Sequence, residues 1–175
     1  MNPTQNDLTE STRIRVIGLC NDRLADAIDL QTQCKYAHWN VKGTNFIALH
    51  ELFDKINEDV EDYVDLIAER AVQLGAVAEG TARMAVNRSS LSEYPTSGST
   101  GQDHIAALSA VLAAFGKQAR RSIDMSNEVN DADTADIFTE ISRGIDKWLW
   151  MVEAHLQIGQ NRDEAVNRRV VGDCC

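Results

Sequence analysis

From Leu49 to Leu74 apolar side chains recur every three or four residues: Leu49, Phe53, Ile56, Val60, Val64, Ile67, Ala71 and Leu74. That spacing places all of them on one stripe of a helix and rules out a strand, whose side chains alternate. An apolar stripe of this length needs other apolar surfaces to cover it, so the chain has to supply more helices. Three further segments carry the same period. Thr12 to Asn40 places Ile17, Cys20, Leu24, Ile28 and Cys34 near one stripe, and Gly43 breaks it. A third segment opens at a capping box, Thr100 with Asp103, and carries Ile105, Leu108, Leu112, Phe115, Ala119 and Ile123. The fourth comes after the acidic turn Asn130-Asp131-Ala132-Asp133 and carries Ile137, Ile141, Ile145, Trp148 and Val152 to an end near Gly159.

The expected fold is therefore all-α: a four-helix bundle with one crossover, in which the Ser-, Thr- and Gly-rich stretch from Gly80 to Gly101 is an irregular link. Gly75 is placed as the C-cap of the second helix. Pro3 and Pro95, the only prolines, fall outside the helical segments. With 175 residues the chain reads as one domain, 1–175, with flexible tails at 1–11 and 160–175. Cys20 and Cys34 share the first helix about 21 Å apart, too far to bridge, and are expected as buried small hydrophobes. Cys174 and Cys175 are terminal thiols without an assigned role. No apolar run is long enough to span a bilayer and the start lacks a basic-then-apolar leader pattern, so the expected compartment is the cytoplasm.

The formal net charge is −10. An acidic chain repels a phosphate backbone unless its cations are segregated, and here they are not. The first twelve residues hold no Lys or Arg, while Arg162, Arg168 and Arg169 are offset by Asp163, Glu164 and Asp173. Cations are the better-matched partners.

The second helix carries the chemistry. With His50 set at zero and about 100° per residue, Asp54 falls near 40°, Asp65 near 60° and Glu69 near 100°. Glu58 and Glu61 share that arc, whereas the apolar stripe centres near 275°. The His and carboxylate face thus points away from the subunit's own core. Carboxylates alone, opposite an apolar stripe, are more simply a solvated face. The His50/Asp54 and Asp65/Glu69 pairs, however, have the i, i+4 spacing that presents adjacent ligands, and His38 with Trp39 ends the preceding helix. Mixed imidazole and carboxylate donors suit Fe(II), Mn(II) or Zn(II). The Glu-x-x-His motifs of a di-iron bundle are absent, so a di-metal site would need a second subunit related by a two-fold axis.

At these residues the sequence resembles the Dps family, the DNA-protection-during-starvation mini-ferritins. The matching stretch reads His38-Trp39-Asn40-Val41-Lys42-Gly43, Phe46, Leu49-His50-Glu51, Phe53-Asp54, Asp65 and Ala68-Glu69-Arg70-Ala71, and similarity continues through Tyr94-Pro95 to Asp146-Lys147-Trp148-Leu149-Trp150. The resemblance implies a ferritin-like four-helix bundle with a short extra helix in the middle crossover, assembled into a hollow dodecameric shell. It further implies ferroxidase sites of two Fe each, with His38, His50 and Asp54 from one subunit and Asp65 and Glu69 from its neighbour. The implied activity oxidises Fe(II), preferentially with hydrogen peroxide rather than oxygen, and stores Fe(III) mineral against oxidative stress. Zn or Mn suits the same ligands. Trp39 beside the site is a candidate trap for stray oxidising equivalents, with simple packing as the other explanation. Asp131, Asp133 and Asp136 are candidates for an iron-uptake pore at a three-fold axis, helix capping being the competing explanation for Asp133. Two departures stand out: Gly43-Thr44-Asn45-Phe46 replaces a Gly-Pro turn, and no lysine-rich N-terminal extension is present. DNA binding is accordingly expected to be weak or absent. The alternative, from another class, is a DNA-compacting nucleoid protein with secondary metal binding.

Overall fold

A computed structural model describes residues 1–98 and 100–172, with side chains through Gln157. Five helices run in order: α1 (Glu10–Asn40), α2 (Phe46–Gln73), α3 (Ala82–Arg88), α4 (Gly101–Glu128) and α5 (Ala132–Gly172). α1 packs along α2 and α4 along α5, each pair joined by a short connection; α1 against α4 and α2 against α5 then close a four-helix bundle. The crossover carries α3, which lies on α1. Among the described residues there is no strand, and no helix is long and apolar enough to cross a membrane.

Local chemistry explains the element ends. Thr9 caps α1 by accepting from Thr12 N. The capping box of α4 forms in full: Thr100 Oγ1 accepts from Asp103 N, and Asp103 accepts from Thr100 N. Gly75, at φ +91, ends α2 in the left-handed conformation that glycine reaches without strain. Asn130 does the same after α4, at φ 58. The cap of α5 is Asp131, whose Oδ1 accepts from Thr134 N at 3.0 Å, so the capping expected of Asp133 falls two residues earlier. α5 also runs through Gly159, where the sequence pattern places its end. One glycine costs a helix about 1 kcal/mol, which does not stop one with no proline behind it.

The core lies along the α2 stripe. Leu49, Phe53, Ile56, Val60, Ile67, Ala71 and Leu74 are buried, joined by Leu108, Leu112 and Phe115 of α4 and Phe138, Ile141 and Ile145 of α5. On α1 the buried line is rotated from the expected one. Val16, Leu19, Cys20, Leu24, Ala27, Leu30, Cys34 and Ala37 are inside, and Ile17 and Ile28 lie half-buried at its flank. The reason is that α1 is covered on several sides, and part of its inward surface is polar. Asn21 accepts from Glu79 N, Gln33 donates to Ser92 O, and Asp26 accepts from Ser90 N at 2.6 Å. These side chains satisfy crossover backbone that has no ladder of its own. Cys20 and Cys34 are buried as expected; Cys174 and Cys175 lie outside the described residues.

Candidate metal centre

His38 sits in the last turn of α1 and His50 in the second turn of α2. The connection between them is tight. Val41, buried, donates to Ala37 O, and Gly43 at φ +110 turns the chain so that Phe46 N reaches its carbonyl. This hairpin stacks the two imidazoles with centroids 3.7 Å apart and planes 20° from parallel. Each ring is tied to the other residue's backbone: His38 Nδ1 lies 2.8 Å from His50 O, and His50 Nδ1 lies 2.8 Å from His38 O. A carbonyl only accepts, so both Nδ1 atoms carry the hydrogen. In the neutral form of the rings both Nε2 atoms then hold a lone pair, the form in which imidazole binds a metal, and the carbonyls play the orienting role usual behind ligand histidines.

Asp54 lies one turn along α2, beside this pair. Its Oδ1 is 3.7 Å from His38 Nδ1 and hydrogen-bonded to Lys35 Nζ, one turn before His38 on α1. The Lys35 hydrogen bond, assisted by the nearby imidazoles and opposed by partial burial, holds the Asp54 carboxyl below its ordinary value. Asp54 is therefore an anion with a displaceable partner. Lys35 is not among the residues the sequence singles out, although its position three before His38 puts it on the same face.

Asp65 and Glu69 are exposed on the outward arc of α2, with Glu58 and Glu61. Eleven residues at about 1.5 Å each set Asp65 roughly 16 Å along the helix from Asp54, beyond any shared ion. Among the described residues no three His, Cys, Asp or Glu side chains gather closely enough to hold a metal. One chain thus presents two separated half-sets. Trp39 packs on neither; it is 68% exposed and lines a cleft of about 560 Å³ with Tyr36, Val86, Leu91 and Tyr94.

The three acids before and within α5 divide sharply. Asp131 is 2% exposed, and its carboxylate accepts from Arg70 Nη2 at 2.7 Å, Thr134 Oγ1 at 2.6 Å and Thr134 N. Only Asp133 and Asp136 face solvent.

The ferritin-like domain family matches residues 17–161, which span both half-sets. The DNA protection during starvation protein of Agrobacterium fabrum is 44% identical over 154 residues, 88% of this chain and 95% of that one. The chain belongs to the Dps branch of the ferritin-like family. The solved structure of Mycobacterium smegmatis Dps in a tetragonal form superposes with a TM-score of 0.84 at 31% identity, covering 89% of this chain and 94% of that chain. That of Microbacterium arborescens Dps in its high iron form gives 0.81 at 32% identity, covering 89% and 99%. The all-helical ferritin-like fold expected from the resemblance is therefore observed, and membership of this family supports a general role in iron storage and protection.

Proposed function

We propose that this Dps protein is a ferroxidase that oxidises Fe(II) between subunits and stores Fe(III) inside a dodecameric shell in the cytoplasm, the whole chain 1–175 acting as one domain. The observation that carries the reading is the locked His38–His50 pair, with both Nε2 lone pairs free, beside the Asp54 anion. His38, His50 and Asp54 bind Fe(II) as substrate; Asp65 and Glu69 of the neighbouring subunit bridge and neutralise the Fe(III) product. Two ferrous ions held together deliver two electrons to one hydrogen peroxide, the preferred oxidant, and yield hydroxide instead of hydroxyl radical. Oxygen is the slower oxidant, and Zn(II) or Mn(II) competes for the same donors.

Subunit complementation tests the reading. His50→Ala/Asp54→Ala and Asp65→Ala/Glu69→Ala proteins should each be inactive, and shells reassembled from a mixture should regain Fe(II) oxidation. Well-assembled mixed shells that stay inactive would place each site within one chain. For uptake, Asp133 and Asp136 are the exposed acids around the proposed pore, where a negative funnel concentrates cations. Asp136→Asn should slow mineralisation at low iron only; equal uptake at all iron concentrations would remove the pore role. A net charge of −10 argues against the DNA-compacting alternative. A salt-sensitive gel shift by the purified shell would favour that alternative instead.

A further inference from the structure

The hairpin that stacks His38 on His50 is not held by its own turn alone, because α4 begins against it. The capping box fixes the first turn of that helix. Gly101 packs on the hairpin so closely that a Cβ there would meet Leu49 Cδ1 at 2.8 Å and Lys42 O at 3.7 Å. His104, one turn on, is 1% exposed, and its Nδ1 is 2.6 Å from the Tyr94 hydroxyl. The same ring makes a hydrogen bond to the backbone of Asn40, the last residue of α1 and two after His38.

The directions of these bonds follow from the hydrogens available. Burial lowers the His104 pKa more than the Asn40 bond and Asp103 raise it, so the ring is neutral. A bond that raises a histidine's pKa is one the ring donates, and the acceptor is therefore the Asn40 carbonyl. A neutral imidazole has one hydrogen and one lone pair. The hydrogen goes to Asn40, and Nδ1 accepts from the Tyr94 O–H. The last turn of α1 needs such a donor, since a helix ends with four carbonyls that no intrahelical N–H reaches. Here Val41 N takes the Ala37 carbonyl, His50 Nδ1 takes that of His38, and His104 takes that of Asn40. Two of these three tethers come from other helices, one from α2 and one from α4. Helix ends fray, and fraying here would carry the His38 ring away from His50.

We propose that His104 is a positioning residue for the metal half-site: by holding the Asn40 carbonyl it clamps the last turn of α1 and keeps the His38 ring stacked on His50. The proposal rests on the reading of His38 and His50 as metal donors, and it assigns the geometry of that pair to a third helix. His104 touches no ion. Its effect passes through one backbone carbonyl and the two residues that separate it from His38. Tyr94 fixes the ring that does the holding, and the packing of Gly101 on Leu49 and Lys42 keeps α4 seated on the hairpin. A donor set supported in this way by packed elements holds its spacing better than one carried on a free helix end.

Zn(II) reads the donor pair without redox chemistry. Calorimetric titration of metal-free shells, far below their melting temperature, should show His104→Leu binding Zn(II) about tenfold more weakly than wild type, the lower range for losing a group behind a metal ligand. His104→Gln, whose amide still donates to the Asn40 carbonyl, should recover most of that loss. Tyr94→Phe, which leaves the Asn40 bond in place, should weaken binding less than His104→Leu does. Leu112→Ala separates positioning from stability: it opens a core cavity about two turns further along α4, so it should lower the melting temperature and leave Zn(II) affinity unchanged. Wild-type affinity in His104→Leu would overturn the proposal. So would a loss that His104→Gln fails to recover or that Leu112→Ala reproduces, since either makes the effect one of general stability. A check that needs no variant is amide hydrogen exchange in the wild-type shell. The Val41 N–H, bonded to Ala37 O, should exchange as slowly as amides in the middle of α1, and the rate of a frayed helix end there would overturn the proposal. Zn(II) binding that depends on His104 in a protein that fails to oxidise Fe(II) would sink the ferroxidase reading and leave the clamp standing.

Discussion

Asp54 and Asp131 are both aspartates beside a cation, and both are candidates in the sequence for handling iron, yet they are opposite kinds of group. Asp131 is buried against Arg70, itself 5% exposed, and its carboxylate accepts three hydrogen bonds, one from Arg70 and two from Thr134. Its task is mechanical: it caps α5 and joins that helix to the end of α2. Asp54 is about a third exposed, its cation is the terminal amine of a flexible lysine, and a pair of metal-ready imidazoles flanks it. The difference teaches that charge alone does not mark a binding site. A carboxylate is available to a substrate ion when its present partner is easier to displace than the ion is to bind.

The comparison breaks most visibly at Asp131. Removing the carboxylate leaves a buried guanidinium unpaired, so Asp131→Ala should cost about 3–5 kcal/mol, which corresponds to a melting temperature lower by roughly 10 °C. Arg70→Met/Asp131→Leu should recover most of that loss, and thermal unfolding monitored by circular dichroism decides it. A single variant that melts with the wild type would show that the buried pair is not what ties α5 to α2. At Asp54 the expectation is reversed. Asp54→Ala should leave unfolding almost unchanged and slow Fe(II) oxidation by about a hundredfold, the upper range seen when the surroundings of a metal are stripped. Wild-type turnover would remove Asp54 from the site. The smallest effect sharpens the comparison further. Lys35→Gln removes the competitor for Asp54, and since exposed ion pairs are weak, Zn(II) titration should show affinity rising only about two- to fivefold. Weaker binding would mean that Lys35 holds Asp54 in place for the metal.

Legibility in the sequence shows the same division between local and distant causes. The α2 stripe, the Thr100/Asp103 box and the Gly75 turn are readable because each is decided within one or two helical turns. The outward arc of His50, Asp54, Asp65 and Glu69 is readable for the same reason, and it anticipates that one chain does not close the site. The inward face of α1 is not, because Asn21, Asp26 and Gln33 are buried by their bonds to a crossover more than fifty residues away. Nor is the choice of Asp131 over Asp133 as the cap of α5, which turns on the left-handed Asn130 before it. Lys35 and the Tyr94–His104 pair escape because no periodicity announces a contact between separate elements.

The crossed bonds between His38 and His50 have a consequence for how the site fills. Two rings held by each other's backbone have surrendered their rotational freedom during folding, before an ion arrives. Immobilising a side chain on binding commonly costs about 0.5–1.5 kcal/mol, and here neither ring incurs it. A rigid pair of nitrogens also behaves as a gauge of fixed width, which admits those divalent ions whose bond lengths suit it. On the proposed ferroxidase reading, selection among ions that fit then rests on the redox chemistry of the bound ion: oxidised iron moves on, while redox-silent Zn(II) simply waits in place.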